Sequence, residues 1–152
     1  MHQLNRRTPT TNGEAFGQYF TKSEVVHRCL VQLGSLPKYD LVVEPSAGNG
    51  TFLEAIEPEN KVGLDIDPQH RSVIQADWFA YEVSDEYARV LIVGSPPYGR
   101  YHELPAAFIR RAMSLENVCT IAFIHAECVP QAYSATHYPA GLAHRINTGS
   151  RL

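Results

Sequence analysis

The sequence predicts an α/β domain built on a mostly parallel sheet with helices on both faces. Three observations carry this. Short apolar runs recur at Leu41–Val43, Lys61–Ile66, Val73–Gln75, Arg89–Val93 and Val118–Ile124. Segments with helical spacing alternate with them. Several of the runs are apolar at nearly every position rather than at every second one, the pattern of strands buried from both sides.

Each element has a local reason. Residues 1–15 are polar, contain Pro9 and read as a flexible arm, so the core is expected over 16–129 and an irregular tail over 130–152, where Pro, Gly, His and Ser dominate. Thr21-Lys22-Ser23-Glu24 has the spacing of a capping box, and Val25, Val26, Cys29, Leu30 and Leu33 follow on one helical face. That helix, Ser23 to Leu33, stops at Gly34 and Pro37. Leu41–Val43 is the first strand, and a short helix from Thr51 to Ile56 follows the turn after it. Lys61–Ile66 and Val73–Gln75 are two further strands. The link between them is too short for a helical crossover and must be irregular. Arg89–Val93 runs straight into Pro96 and Pro97, which exclude both helix and central strand. A helix from Leu104 to Ser114 carries Leu104, Phe108, Ile109, Ala112 and Met113 on one face, and Val118–Ile124 closes the series.

Composition narrows the function classes. The 152 residues are 44% apolar with a net charge of −3, enough for one core and one buried ligand site in one domain. There is no glycine period, heptad or repeat. The longest apolar runs, Val90–Val93 and Ile121–Ile124, fall far short of a bilayer span, and no apolar stretch follows the basic N-terminus as in a secretory signal. Cys29, Cys119 and Cys128 lack metal or disulfide spacing, and Cys29 and Cys119 read as core thiols, so a reducing, cytoplasmic or nuclear location is expected. A nucleic acid would have to be met by a local patch, with Arg6, Arg7, Arg100, Arg110 and Arg111 as material.

Ligands of open α/β sheets bind beyond the carboxyl ends of the strands. Four strands deliver polar or backbone features there. The first ends on Glu44 and the turn Gly48-Asn49-Gly50, whose glycines permit positive φ and close approach of a ligand. The second ends on Asp65, about 20 residues downstream, where a carboxylate accepts from ribose hydroxyls. Asp77, beside Trp78 and Phe79, is placed to accept from the exocyclic amine of an adenine ring, with an aromatic neighbour to stack. Ser95-Pro96-Pro97-Tyr98 offers stiff backbone acceptors, a hydroxyl and a stacking ring. Leu53 stands where a dinucleotide fingerprint wants its third glycine, and Glu44 would repel a pyrophosphate. No Walker loop exists. An acid beside a glycine turn suits a ligand with a positive end, such as the amino group of a methionine moiety.

Glu44-Pro45-Ser46-Ala47-Gly48-Asn49-Gly50-Thr51-Phe52, Gly63 to Pro68, Gln75-Ala76-Asp77-Trp78 and Ser95 to Gly99, in that order, resemble the class I S-adenosylmethionine-dependent methyltransferases that modify exocyclic amino groups of bases. Phe16-Gly17-Gln18-Tyr19-Phe20-Thr21 is similar to the motif preceding the glycine turn in the gamma-class N6-adenine enzymes. The resemblance covers residues 16 to 125. It implies a Rossmann-like sheet in the order 3-2-1-4-5, with the antiparallel hairpin that ends such folds missing and the core minimal or truncated. Tyr19, Phe20 and Thr21 would line the methionine side of S-adenosylmethionine, and Glu44, Pro45, Ser46, Ala47, Gly48, Asn49 and Gly50 would form the turn around it. Asp65 and Ile66 would lie at the ribose, Asp77 and Trp78 at the adenine, and Ser95, Pro96, Pro97 and Tyr98 at a target base flipped from its helix. The implied reaction is direct methyl transfer to adenine N6 in DNA or RNA, with no metal.

Ser95 departs from the Asn or Asp usual in adenine enzymes and is similar to many N4-cytosine enzymes, which leaves the base open. A protein target also stays open, because release-factor glutamine methyltransferases carry a similar Pro-Pro-Tyr loop. So does a weakly active or inactive module that binds cofactor or a partner chain. An unfinished sheet edge would invite a homodimer or heterodimer partner. His125-Ala126-Glu127 matches the H-x-E of zinc deaminases but lacks the downstream cysteine pair.

Overall fold

The computed structural model describes residues 20–57, 59–97 and 103–124. Helix α1 (Ser23–Leu33) buries Val26, Cys29 and Leu33, one stripe at helical spacing. The expected capping box does not form. Lys22 occupies the cap position in an extended conformation without a side-chain cap bond, and its carbonyl accepts the Val25 and Val26 N–H groups at 2.9 and 3.1 Å. With Lys22 as cap, Glu24 falls one residue short of the position from which a carboxylate reaches back.

After α1 the chain makes a 3₁₀ turn over Leu36–Lys38 and enters β1 (Leu41–Glu44), followed by α2 (Thr51–Ala55), β2 (Lys61–Asp65), β3 (Val73–Gln75), β4 (Val90–Gly94), α3 (Glu103–Met113) and β5 (Val118–Phe123). Every expected element is present, with ends displaced by about one residue. The strand order is β3-β2-β1-β4-β5 and all four pairings are parallel. This is a Rossmann-like α/β sheet. The hairpin and tail expectations fall on residues 125–152, outside the described residues.

The irregular link between β2 and β3 has a simple geometric basis. β3 pairs with only the second half of β2, Gly63 with Val73 and Asp65 with Gln75, so the chain need travel back only about 7 Å, two residues of strand rise. A helix is not required for that distance.

Alternation along the inner strands divides the core. Val42, Leu91 and Val93 pack with α1, α2 and Ala122 on one face. Leu41, Val43, Val90 and Ile92 pack with Phe108 and Ala112 of α3 on the other. Both faces of the central strands are covered, so the carboxyl ends of β1, β2 and β4 converge at a rim where the strand order reverses.

Candidate functional site

A cavity of about 270 Å³ opens at that rim. Its wall takes Glu44 to Asn49 from the end of β1, Asp65 and Ile66 from β2, Ala76 to Phe79 after β3, and Ser95 to Pro97 after β4. Phe20 and Thr21 line it from the entry to α1, and Leu104 and Phe108 from α3. Expected site residues from four separate strands therefore meet in one space. Gly50 does not line it. Tyr19 and Tyr98 lie outside the described residues, as does His125-Ala126-Glu127.

The turn after β1 is built by backbone bonds. The Ala47 N–H donates to the Leu64 carbonyl at 2.7 Å, and the Gly48 carbonyl accepts from the Gln69 N–H at 2.9 Å. Gly48 and Gly50 have φ of 48° and 77°, as the glycine spacing leads one to expect. Gly50 serves the scaffold: a Cβ there would meet His70 at 2.8 Å. His70 in turn pairs with Glu54 of α2 at 3.1 Å. Asn49 accepts from the Thr51 hydroxyl at 2.7 Å and from its N–H at 3.3 Å.

Asp65 is 6% exposed. One carboxylate oxygen accepts the Gly48 N–H at 2.7 Å and the other the Asp67 N–H at 2.9 Å. It thus welds the β1 turn to the end of β2. With these bonds in place Asp65 lies on the cavity wall beside Ile66.

Glu44 is the anomaly. It is 2% exposed, yet its Oε2 has no hydrogen-bond partner among the described residues. Burial pushes its carboxyl well above the usual range, the Leu53 backbone N–H opposes this, and the Asp65 charge adds to it. Gly94, with φ of 145°, presses on it: a Cβ there would lie 3.1 Å from Glu44 Cγ. Among the described residues lining the cavity, Glu44, Asp65 and Asp77 are acidic and none is Lys, Arg or His. Such a wall disfavours phosphates and favours a ligand carrying positive charge.

Around Asp77 the two aromatics divide the work. Trp78 is 2% exposed, donates its indole N–H to the Phe108 carbonyl at 3.3 Å and lies under the Arg111 guanidinium. It is core with an edge on the cavity, so the ring expected to stack on a ligand is largely committed to packing. Phe79 is 43% exposed, lines the cavity and meets Phe108 edge-to-face at 5.2 Å. The resemblance puts Trp78 at the adenine and does not name Phe79. Asp77 itself is exposed and accepts the Phe79 N–H at 2.9 Å. Across the cavity the Ser46 hydroxyl donates to the Ser95 carbonyl at 2.8 Å, a contact no local motif signals. Cys29 is buried as expected, while Cys119 is only partly so. No group of three His, Cys, Asp or Glu side chains among the described residues could hold a metal ion.

The fold and cavity define a Rossmann-like domain with an acid-lined cavity at its switch point. No family model and no solved structure matches the chain. Curated relatives do. The chain is 32% identical over 102 residues to type II methyltransferase M.TthHB8I of Thermus thermophilus, covering 60% of this chain and 23% of that protein. It is 30% identical over 96 residues to type II methyltransferases M.HincII and M.HindII of Haemophilus influenzae, covering 59% of this chain and 18% of each. The chain is thus similar to type II methyltransferases over about 60% of its length, and the matched segment spans less than a quarter of theirs.

Proposed function

We propose that this chain is the cofactor-binding core of an amino-methyltransferase acting on DNA, with the exocyclic N6 of adenine as target and S-adenosylmethionine as methyl donor. The observation that carries the reading is the buried, unpartnered Oε2 of Glu44 on the cavity wall. A buried acceptor without a donor is costly, and a ligand ammonium group would relieve it. The acid-lined wall fits a cofactor that is cationic at its amino acid end and at sulfur. The type II relatives favour DNA over RNA or protein.

When bound, the cofactor supplies a methyl group on positively charged sulfur. The chain's own residues do the rest. Glu44 would hold the ammonium end, with the turn Pro45 to Asn49 beside it and Phe20 and Thr21 above. Asp65, on the cavity wall, would accept from the ribose hydroxyls, next to Ile66. Asp77 would accept from the adenine amine, and Phe79, rather than Trp78, would supply the ring face. The Ser95 hydroxyl and the carbonyls of the Pro96–Pro97 segment would accept from the target amine, offsetting the positive charge it develops.

Calorimetric titration with S-adenosylmethionine tests this. The parent chain is expected to bind, and Asp65→Ala, checked for folding by circular dichroism, to bind at least tenfold more weakly, about 1.4 kcal/mol. A folded parent that shows no binding overturns the cofactor. Binding without transfer of labelled methyl to DNA would instead support a cofactor-binding module without activity, the reading that Ser95 at the loop motivates.

A further inference from the structure

We propose that Ser46 is a positioning residue through which occupancy of the cofactor turn sets the target-binding loop. The inference rests on the methyltransferase reading of the cavity. Ser46 belongs to the turn after β1, Ser95 opens the loop after β4, and the Ser46 hydroxyl donates across to the Ser95 carbonyl at 2.8 Å. Both residues line the cavity.

The Ser95 carbonyl belongs to the peptide bond that leads into Pro96. Proline fixes its own φ, and the residue before it is held in extended conformations. Pro97 follows at once. Rotation of the Ser95–Pro96 peptide plane therefore cannot be absorbed within the next two residues, and it redirects the loop as one stiff piece. Upstream the loop is equally fixed. The Gly94 carbonyl accepts the Ile124 N–H at 2.9 Å, and Glu44 packs against the Gly94 Cα. Ser46 supplies a side-chain bond to that plane between these anchors and the prolines.

A serine hydroxyl has one proton and two lone pairs. The proton is committed to Ser95, so the lone pairs are what Ser46 offers to a ligand. A donor arriving there would polarise the hydroxyl and strengthen its bond to Ser95, as linked hydrogen bonds do. The turn that meets the cofactor is in this way wired to the loop that meets the base.

The test uses Ser46→Ala and Ser46→Thr in the full chain. With S-adenosylhomocysteine as probe, backbone amide resonances of Gly48 and Ser95 are followed by NMR. In the parent both shift on titration. In Ser46→Ala the Gly48 response persists while that of Ser95 is lost, and Ser46→Thr restores it. With labelled S-adenosylmethionine and double-stranded DNA free of methylated bases, Ser46→Ala lowers kcat by about tenfold to a hundredfold, the scale expected for a misplaced reactive group, and the fall in kcat exceeds any rise in KM for the cofactor. An undiminished Ser95 response in Ser46→Ala, or a loss confined to KM, overturns the role of Ser46 alone. Absence of any shift at Gly48 in the parent overturns the cofactor reading with it.

Discussion

Glu44 concentrates the tension between stability and ligand binding. A carboxyl raised by burial binds its proton more tightly in the folded chain than in the unfolded one. Folding therefore carries no penalty from it below the ordinary carboxylate range, and a growing one as pH rises through that range toward the raised folded-state value. Each unit of separation corresponds to about 1.4 kcal/mol. Urea unfolding between about pH 4 and about pH 8 should show this falling contribution in the parent and its loss in Glu44→Gln. The same substitution should weaken S-adenosylmethionine binding by about tenfold or more, since an amide cannot neutralise an ammonium group. A Glu44→Gln chain that binds as tightly as the parent would remove the ammonium contact from the reading.

Elements, rather than single side chains, decide what Trp78 and Phe79 do. They are adjacent in sequence and both meet Phe108 of α3, yet Trp78 is buried against that helix while Phe79 stays half exposed at the cavity. Trp78→Ala should cost about 3–5 kcal/mol of stability, the range for emptying a large aromatic site. Phe79→Ala should cost about 1 kcal/mol or less in the absence of ligand, because its ring is half exposed. Its effect should appear instead in binding, at about 0.5–1.5 kcal/mol for a lost ring contact. Chemical unfolding and calorimetry on both variants check the division; equal stability losses would mean that α3 does not separate the two rings. The β2–β3 link belongs to the same level. Its brevity is tolerable because β3 enters beside Gly63 rather than at the start of β2, a matter of register.

For the molecule as a whole, three carboxyl groups gather around one cavity, and a bound cation would favour the charged form of the one that burial disfavours, Glu44. Ligand binding should therefore stabilise the entire sheet, since the wall is assembled from the ends of β1, β2 and β4 and from the segment after β3. At a hundredfold excess over Kd the gain is about 2.7 kcal/mol, or about 5–10 °C in Tm for a chain of this size. Differential scanning calorimetry with S-adenosylmethionine checks it, and an unchanged Tm at that concentration would contradict the proposed cofactor. No helix among the described residues is long and apolar enough to cross a membrane.

The parallel α/β class, the element order and the main polar groups at the strand ends were all legible in the residues. They rest on local rules: apolar runs make buried strands, glycines and prolines end them, and a strand's last residue lands at the rim. Glu44, Asp65, Asp77 and Ser95 follow from that logic whatever the rest of the chain does. Four features did not. The cap of α1 falls on Lys22 rather than Thr21, which lines the cavity instead. The choice between Trp78 and Phe79 needed the position of α3. The Ser46–Ser95 bond joins residues 49 apart in sequence, and the burial that strands the Glu44 carboxylate requires Gly94 from a strand 50 residues away to press against it. Contacts of this kind arise when β1 and β4, distant in the chain, become neighbours in the sheet, and pairing of distant strands leaves no periodic trace in either one.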